Sequence, residues 1–355
     1  MRIPLLAALA LSRVITQGAA QVPDVAASDP RPTRLFASVE PISIRLEADF
    51  RAVFRNRDTT RTDWHPARLA WRAADDSGAM DVQIATRGHF RLRPGICSFP
   101  PLRIQFPAEQ RRGTIWRGQG TLKLATHCRT GNRRYEQIVH QEFLVYRMYN
   151  ALTDTSYRVR FVHATYVDRR PGQAPVEAPA FFIEDVDDLA SRIGAREFER
   201  PGVPPGVGFE DLQPGPLALL SVFMYMVGAT DWSVPYLHNI RILASPEWEY
   251  VAVPYDFDWT GFVNAPYARP DPRLGIRTVE ERVWRGPCLS PADLAHALDR
   301  IEAAREAILA LVRDHPGLDP RLAQQGVRYL EEFYREAAEL RRRRPTLEGT
   351  CGFRR

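Results

Sequence analysis

Thr121-Leu122-Lys123-Leu124-Ala125 is a short apolar run that carries the only lysine of the chain: of 48 basic residues, 47 are arginine. The run lies in a strand expected over 120–126, just ahead of a helix expected over 135–152. A lysine offers a compact ammonium on a flexible stem, whereas guanidinium is a broad planar fork. The two are not interchangeable where a point charge must reach between phosphate oxygens.

Upstream, Ile44, Leu46, Ala48, Phe50 and Ala52 alternate with Arg45, Glu47, Asp49 and Arg51, a period of two that marks a half-buried strand. Further strands are expected at 80–85, 90–92 and 102–106. After the helix come strands at 159–167 and 180–184, separated by a Pro/Gly loop, and then a Pro/Gly-rich connector over 201–216. Beyond it the period becomes helical over 216–227, 290–314 and 320–343, with two short strands near Ile240 and Val251. Ser290, Pro291 and Asp293 form a helix start, with a capping hydroxyl, a first-turn proline and a carboxylate three residues on. This order predicts an α+β, bilobal protein-kinase-like fold. Its N-lobe, an antiparallel sheet with one helix, would span 36–185, and its mainly helical C-lobe 186–350.

The composition, 45% hydrophobic and 26% charged over 355 residues, is that of an ordinary globular protein. A net charge of +5 and a pI near 9.1 come from arginines dispersed along the chain. No basic stripe interleaved with aromatics is present, so nucleic acid is not an expected partner. Residues 1–20 read as a signal peptide: Arg2, an apolar stretch over 3–11, then Gly18-Ala19-Ala20. The apolar stretch is too short for a transmembrane helix, and none is expected elsewhere. Residues 21–35, rich in Pro, Ala and Asp, read as a disordered leader. Export, to a periplasm, the medium or the cell surface, makes Cys97, Cys128, Cys288 and Cys351 candidates for two disulfides. Pairing 97 with 128 and 288 with 351 keeps each bond within one expected lobe.

The expected helix has an apolar stripe of Ile138, Val145, Tyr149 and Leu152, and Glu142 falls on it. An inward carboxylate needs a partner, and Lys123 is the expected one, with Glu136 the alternative acid. In phosphoryl-transfer enzymes of the kinase kind, a strand lysine holds phosphate oxygens and a helix glutamate orients it. A second cluster is Asp231-Trp232-Ser233 followed by His238-Asn239. A carboxylate with an amide at short range suits a catalytic loop, one group for the acceptor hydroxyl and one oxygen ligand for magnesium. A third is Val253-Pro254-Tyr255-Asp256-Phe257-Asp258, then Gly261. Alternate carboxylates at a strand end supply hard oxygen ligands for a divalent cation.

These motifs, with Arg87-Gly88, Phe181-Phe182-Ile183-Glu184 and Thr230-Asp231-Trp232, resemble the CotH-type spore-coat kinase-like family at the level of pattern, over about 80–265. The resemblance implies binding of ATP with Mg²⁺ or Mn²⁺ and transfer of phosphate to a serine or threonine hydroxyl of a protein. It implies that Lys123, oriented by Glu142, grips phosphates, with Arg87 and Glu184 as further nucleotide-binding candidates. Asp231 would be catalytic, and Asn239 with Asp256 would hold metal, Asp258 assisting. No Gly-x-Gly-x-x-Gly loop is present, so Arg87 or Arg91, in the stretch from Arg87-Gly88-His89 to Pro94-Gly95, would have to cover the phosphates. Two other readings are a catalytically silent surface or coat binding protein, and a metal-dependent hydrolase or glycan-active enzyme built on Asp256 and Asp258.

Overall fold

The structure, a computed structural model, describes residues 31–58, 60–198, 206–247 and 249–343. The expected signal peptide, the expected leader up to residue 30, and Cys351 lie outside the described residues.

Strand β1 (Ile42–Ala48) shows the expected alternation, with Ile42, Ile44, Leu46 and Ala48 buried. It pairs antiparallel with β2 (His65–Arg72), which pairs with β3 (Ser77–Thr86), then β4 (Leu102–Gln105), then β5 (Thr121–Ala125). After helix α2 (Arg133–Leu152) the chain returns as β6 (Val159–Asp168) and β7 (Val176–Ile183). β7 pairs with β5, and β6 pairs parallel with β1, Ile44 opposite Ala164. The seven strands thereby close into a barrel of order β1-β2-β3-β4-β5-β7-β6.

This corrects the expected bilobal protein-kinase-like fold with an open N-terminal sheet. The physical reason is that both faces of β1's backbone find partners, β2 on one side and β6 on the other, which leaves no edge strand. The 90–92 segment, expected as a strand, is a single 3₁₀ turn, Phe90–Leu92. The single-turn helix α1 (Phe50–Val53), capped by the Asp49 carboxylate, interrupts the long first strand expected from the alternation.

Alternation along the wall builds two cores. Leu122, Leu124, Phe182 and Val162 point into the barrel. Ala125, Phe181, Ile183 and Phe161 point outward, against α2 and the rest of the chain. Helix α2 is therefore covered nearly all round, and even Gln141 and Glu142 are buried. Beyond it lie helices α3 (Val186–Arg192) and α4 (Pro214–Met226), a small sheet of β8 (Arg196–Glu197), β9 (Ile240–Ala244) and β10 (Tyr250–Pro254), and helices α5 (Pro291–Ala303), α6 (Arg305–Arg313) and α7 (Pro320–Arg343). Ser290 caps α5 by accepting from the Asp293 amide at 3.1 Å, as expected.

Cys97 and Cys128 form a disulfide. It ties the loop after Phe90–Leu92 to the connection between β5 and α2, and Arg129 Nε reinforces it by donating to the Ile96 carbonyl at 2.9 Å. The other expected bond, 288 with 351, has one partner outside the described residues. No described helix is long and apolar enough to cross a membrane.

Candidate functional site

Because Leu122 and Leu124 face the barrel interior, the residue between them must face out, and Lys123 stands on the outer wall. There its ammonium lies 5.7 Å from the centre of the Tyr255 ring, with Arg241 over the same ring at 5.0 Å. Burial, together with the charges of Arg87 and Arg241, brings the Lys123 ammonium down to about 8; Asp185 and Asp256 pull the other way. Three cations thus share one partly dry place, the condition under which an anion is welcome.

The wall opposite is the end of the β9–β10 hairpin. Asn239 and Asp256 flank the paired strands and both adopt left-handed backbone conformations, φ 54° and 62°. Such angles are costly outside glycine and persist only where the surroundings fix them. Here the Tyr255 amide donates to the Asn239 carbonyl at 3.0 Å and the Asp256 amide donates to the buried Tyr146 hydroxyl at 2.9 Å. Asn239 Nδ2 in turn donates to the Asp231 carbonyl at 2.7 Å and lies 3.3 Å from Asp231 Oδ2. His238 Nε2 lies 2.8 Å from Asp231 Oδ1. Asp231, Asn239 and Asp256 are therefore one connected unit, with the Asp231 and Asp256 side chains 40% and 35% exposed.

Glu142 makes no ion pair with Lys123. Its partner is Arg91, from the Phe90–Leu92 turn, at 3.5 Å. The same guanidinium reaches Asp256 Oδ1 at 3.0 Å and Asp258 Oδ2 at 3.5 Å. One buried cation thus serves three carboxylates. Burial raises both Glu142 and Asp258, and Arg91 opposes the rise in each. Glu142 Oε1 is buried with no hydrogen-bond partner, while Asp258 also accepts from the Tyr267 hydroxyl at 2.8 Å. Asp256 and Asp258 do converge, as alternate strand residues would, although β10 ends at Pro254 and it is Arg91 that gathers them.

Glu184 is fully buried and spent on structure: it holds Arg192 at 2.9 Å and accepts from the Arg158 amide at 2.9 Å. Its neighbour Asp185, which caps α3, is the carboxylate on that side whose charge acts on Lys123. Sequence reasoning missed Asp185, Arg241 and Tyr255. The signal for Asp185 was its position directly after the buried strand end Ile183-Glu184, where the next residue must turn to the opposite face.

Among the described residues, no group of three or more His, Cys, Asp or Glu side chains is placed to hold a metal ion. Magnesium in nucleotide sites uses one or two carboxylates together with substrate phosphates, so a site of that kind needs fewer protein ligands than such a group. The chain matches no protein-family model and no curated protein.

Proposed function

We propose that the chain is an exported phosphotransferase that takes phosphate from Mg-ATP to a hydroxyl, on a protein, in the manner the CotH-like motifs imply. The reading rests on the site and not on the architecture. The observation that carries it is the half-buried Lys123, which shares the Tyr255 ring with Arg241 and feels the charges of Arg87, Arg241, Asp185 and Asp256. A cluster of three cations beside a partly exposed carboxylate and amide suits a polyphosphate with its divalent ion.

In this reading the triphosphate lies on Lys123 and Arg87, with Asp256 and Asn239 toward its metal ion. The metal, when bound, offsets negative charge on the phosphates. The acceptor hydroxyl oxygen attacks the γ-phosphorus, the bond from that phosphorus to the β,γ-bridging oxygen breaks, and ADP departs. Asp231 Oδ2 takes the hydroxyl proton, while His238 holds Oδ1 and keeps the carboxylate oriented. Arg91 positions Asp256 from behind, and Asp258 and Glu142 hold Arg91. The burial of Asp258 against Tyr267 and Arg91 disfavours a hydrolase in which Asp256 and Asp258 jointly carry the metal. The 97–128 disulfide and the signal-peptide character of residues 1–20 support export.

The test is thermal unfolding of the chain with ATP alone and with ATP plus Mg²⁺ or Mn²⁺, followed by transfer of labelled γ-phosphate to a protein acceptor. A ligand at a hundred times its dissociation constant raises stability by about 2.7 kcal/mol. No metal-dependent shift with any nucleotide sinks the reading.

A further inference from the structure

On another face of the barrel, a cavity of about 740 Å³ lies between the outer wall of β1, β6 and β7 and the layer made by α2 and the α6–α7 connection. It shares no lining residue with the Lys123 site. Its body is apolar: Phe143, Leu144, Phe161, Pro179 and Leu311 line it. Val39 lies at its edge and is 53% exposed, one of the two large hydrophobic side chains left open to solvent among the described residues.

Arg147 of α2 stands in this lining. Its Nε is buried with no hydrogen-bond partner, and among the described residues no carboxylate pairs with it. Burial lowers its pKa, with a further contribution from the Arg158 charge. The residue as a whole is half-buried, so its guanidinium is a charge beside an apolar wall that no carboxylate offsets. The rest of the polar lining does not offset it either. His140 Nδ1 lies 2.9 Å from His315 Nε2, a contact that needs one ring to donate and the other to accept and so uses one nitrogen of each ring. Burial depresses both imidazoles, to about 3 and about 4, which leaves them neutral at pH 7. Gly317, with φ 91°, allows the connection to lie close on His140, where a Cβ would come within 2.8 Å of the ring. His163 and Glu177 lie on the exposed strand faces at the rim.

We infer that this cavity binds an amphipathic monoanion, an aliphatic or aromatic acid whose headgroup pairs with Arg147 and whose apolar body lies along Phe143, Phe161 and Leu311. The volume falls within the range of ligand pockets, and an apolar body with one fixed charge is their usual chemistry.

The experiment uses the intact chain in its native state, with 8-anilinonaphthalene-1-sulfonate as a fluorescent probe and decanoate and decanol as competitors. The parent binds the probe, decanoate displaces it, and decanol does so at least tenfold less well. Arg147→Met weakens the probe at least tenfold, and Leu311→Trp blocks it by filling the cavity. Equal competition by decanol and decanoate, equal probe affinity in folded Arg147→Met, or no probe binding by the native parent overturns the inference. Should Arg147→Met fail to fold, the comparison of the two competitors on the parent decides.

Discussion

Arg91 Nη2 donates to Asp256 Oδ1 at 3.0 Å although 165 positions separate the two residues. This bond joins a one-turn 3₁₀ segment at the foot of the barrel to the hairpin that presents the acidic end of the candidate site. Because the same guanidinium also faces Glu142 and Asp258, its removal touches three buried or half-buried carboxyl groups at once.

Arg91→Met is therefore expected to cost about 3–5 kcal/mol, the usual penalty for stranding a buried charge. Urea unfolding monitored by tryptophan fluorescence measures it. A loss below about 1 kcal/mol would mean that the carboxylates find water or one another without the arginine.

Glu142 sets a pH dependence whose sign follows from its raised pKa, caused first by burial and opposed by Arg91. Above the ordinary glutamate value of about 4.5, the unfolded chain gives up this proton while the folded chain keeps it. Folded protein then binds more protons, so stability falls as pH rises through that region. Glu142→Gln lacks the titration, and its stability relative to the parent should climb with pH from about 4.5 upward. Parallel curves for the two proteins would contradict the assignment.

Lys123 behaves oppositely. Its folded value near 8 lies below the ordinary 10.5, so between these the unfolded chain binds the extra proton and stability rises with pH. Lys123→Met should abolish that rise. Nucleotide affinity, which needs the ammonium, should weaken in the parent above pH 8. In Lys123→Arg it should be weaker throughout and flat across the same range, because guanidinium keeps its charge but loses the point geometry.

Asp231 and Asp256 separate chemistry from binding. Asp231→Asn should lower phosphoryl transfer by roughly 10²–10⁴-fold while Mg-nucleotide binding persists, since a proton acceptor acts in the transition state. Asp256→Asn should lose the metal-dependent part of binding itself. Titration calorimetry with and without Mg²⁺, beside initial rates, distinguishes them. If Asp256→Asn binds Mg-ATP as the parent does, the metal assignment fails; if the parent binds but never turns over, the chain is a silent binding protein.

The disulfide ties together residues 31 positions apart, and its loss should cost roughly 3–4 kcal/mol on loop-entropy grounds. The closed loop contains Lys123, and Arg91 lies in the turn just before it, so the Cys97→Ser, Cys128→Ser double variant should lose nucleotide affinity as well as stability. A variant that unfolds more easily yet binds with parental affinity at low temperature would separate the two roles.

Local signals in the sequence carried much of this structure. The cap at Ser290, the α2 helix and the α7 helix over Pro320–Arg343 follow from hydroxyl, proline and apolar spacing within a few residues. The long helix expected over 290–314 divides at Ala304, whose backbone, φ −91° and ψ 0°, gives no side-chain signal. Strand β2 went unread although Ala67, Leu69 and Trp71 alternate inward, because Pro66 and the small Ala70 dilute the pattern. Pro66 is tolerated there because the β1 pairing stops at Arg68. Closure of the barrel and the capture of Glu142 by Arg91 both depend on partners far away in the chain, and no local periodicity encodes them. Lys123, Asp231, Asn239 and Asp256 could be found as residue types in order; that the carboxylates acting on Lys123 are Asp185 and Asp256 is a property of the folded wall.

The parallel pairing of β1 with β6 also has a kinetic side. Until the chain has been made through Asp168, β1 holds only one of its two neighbours, and its other flank of amides and carbonyls has nothing native to bond. Such distant pairing is slow to form and leaves a sticky seam while it waits. A nascent or truncated chain that stops short of β6 is thus a natural client for a holding chaperone, and adding the missing strand as a separate peptide with the β6 sequence would offer a way to zip it shut.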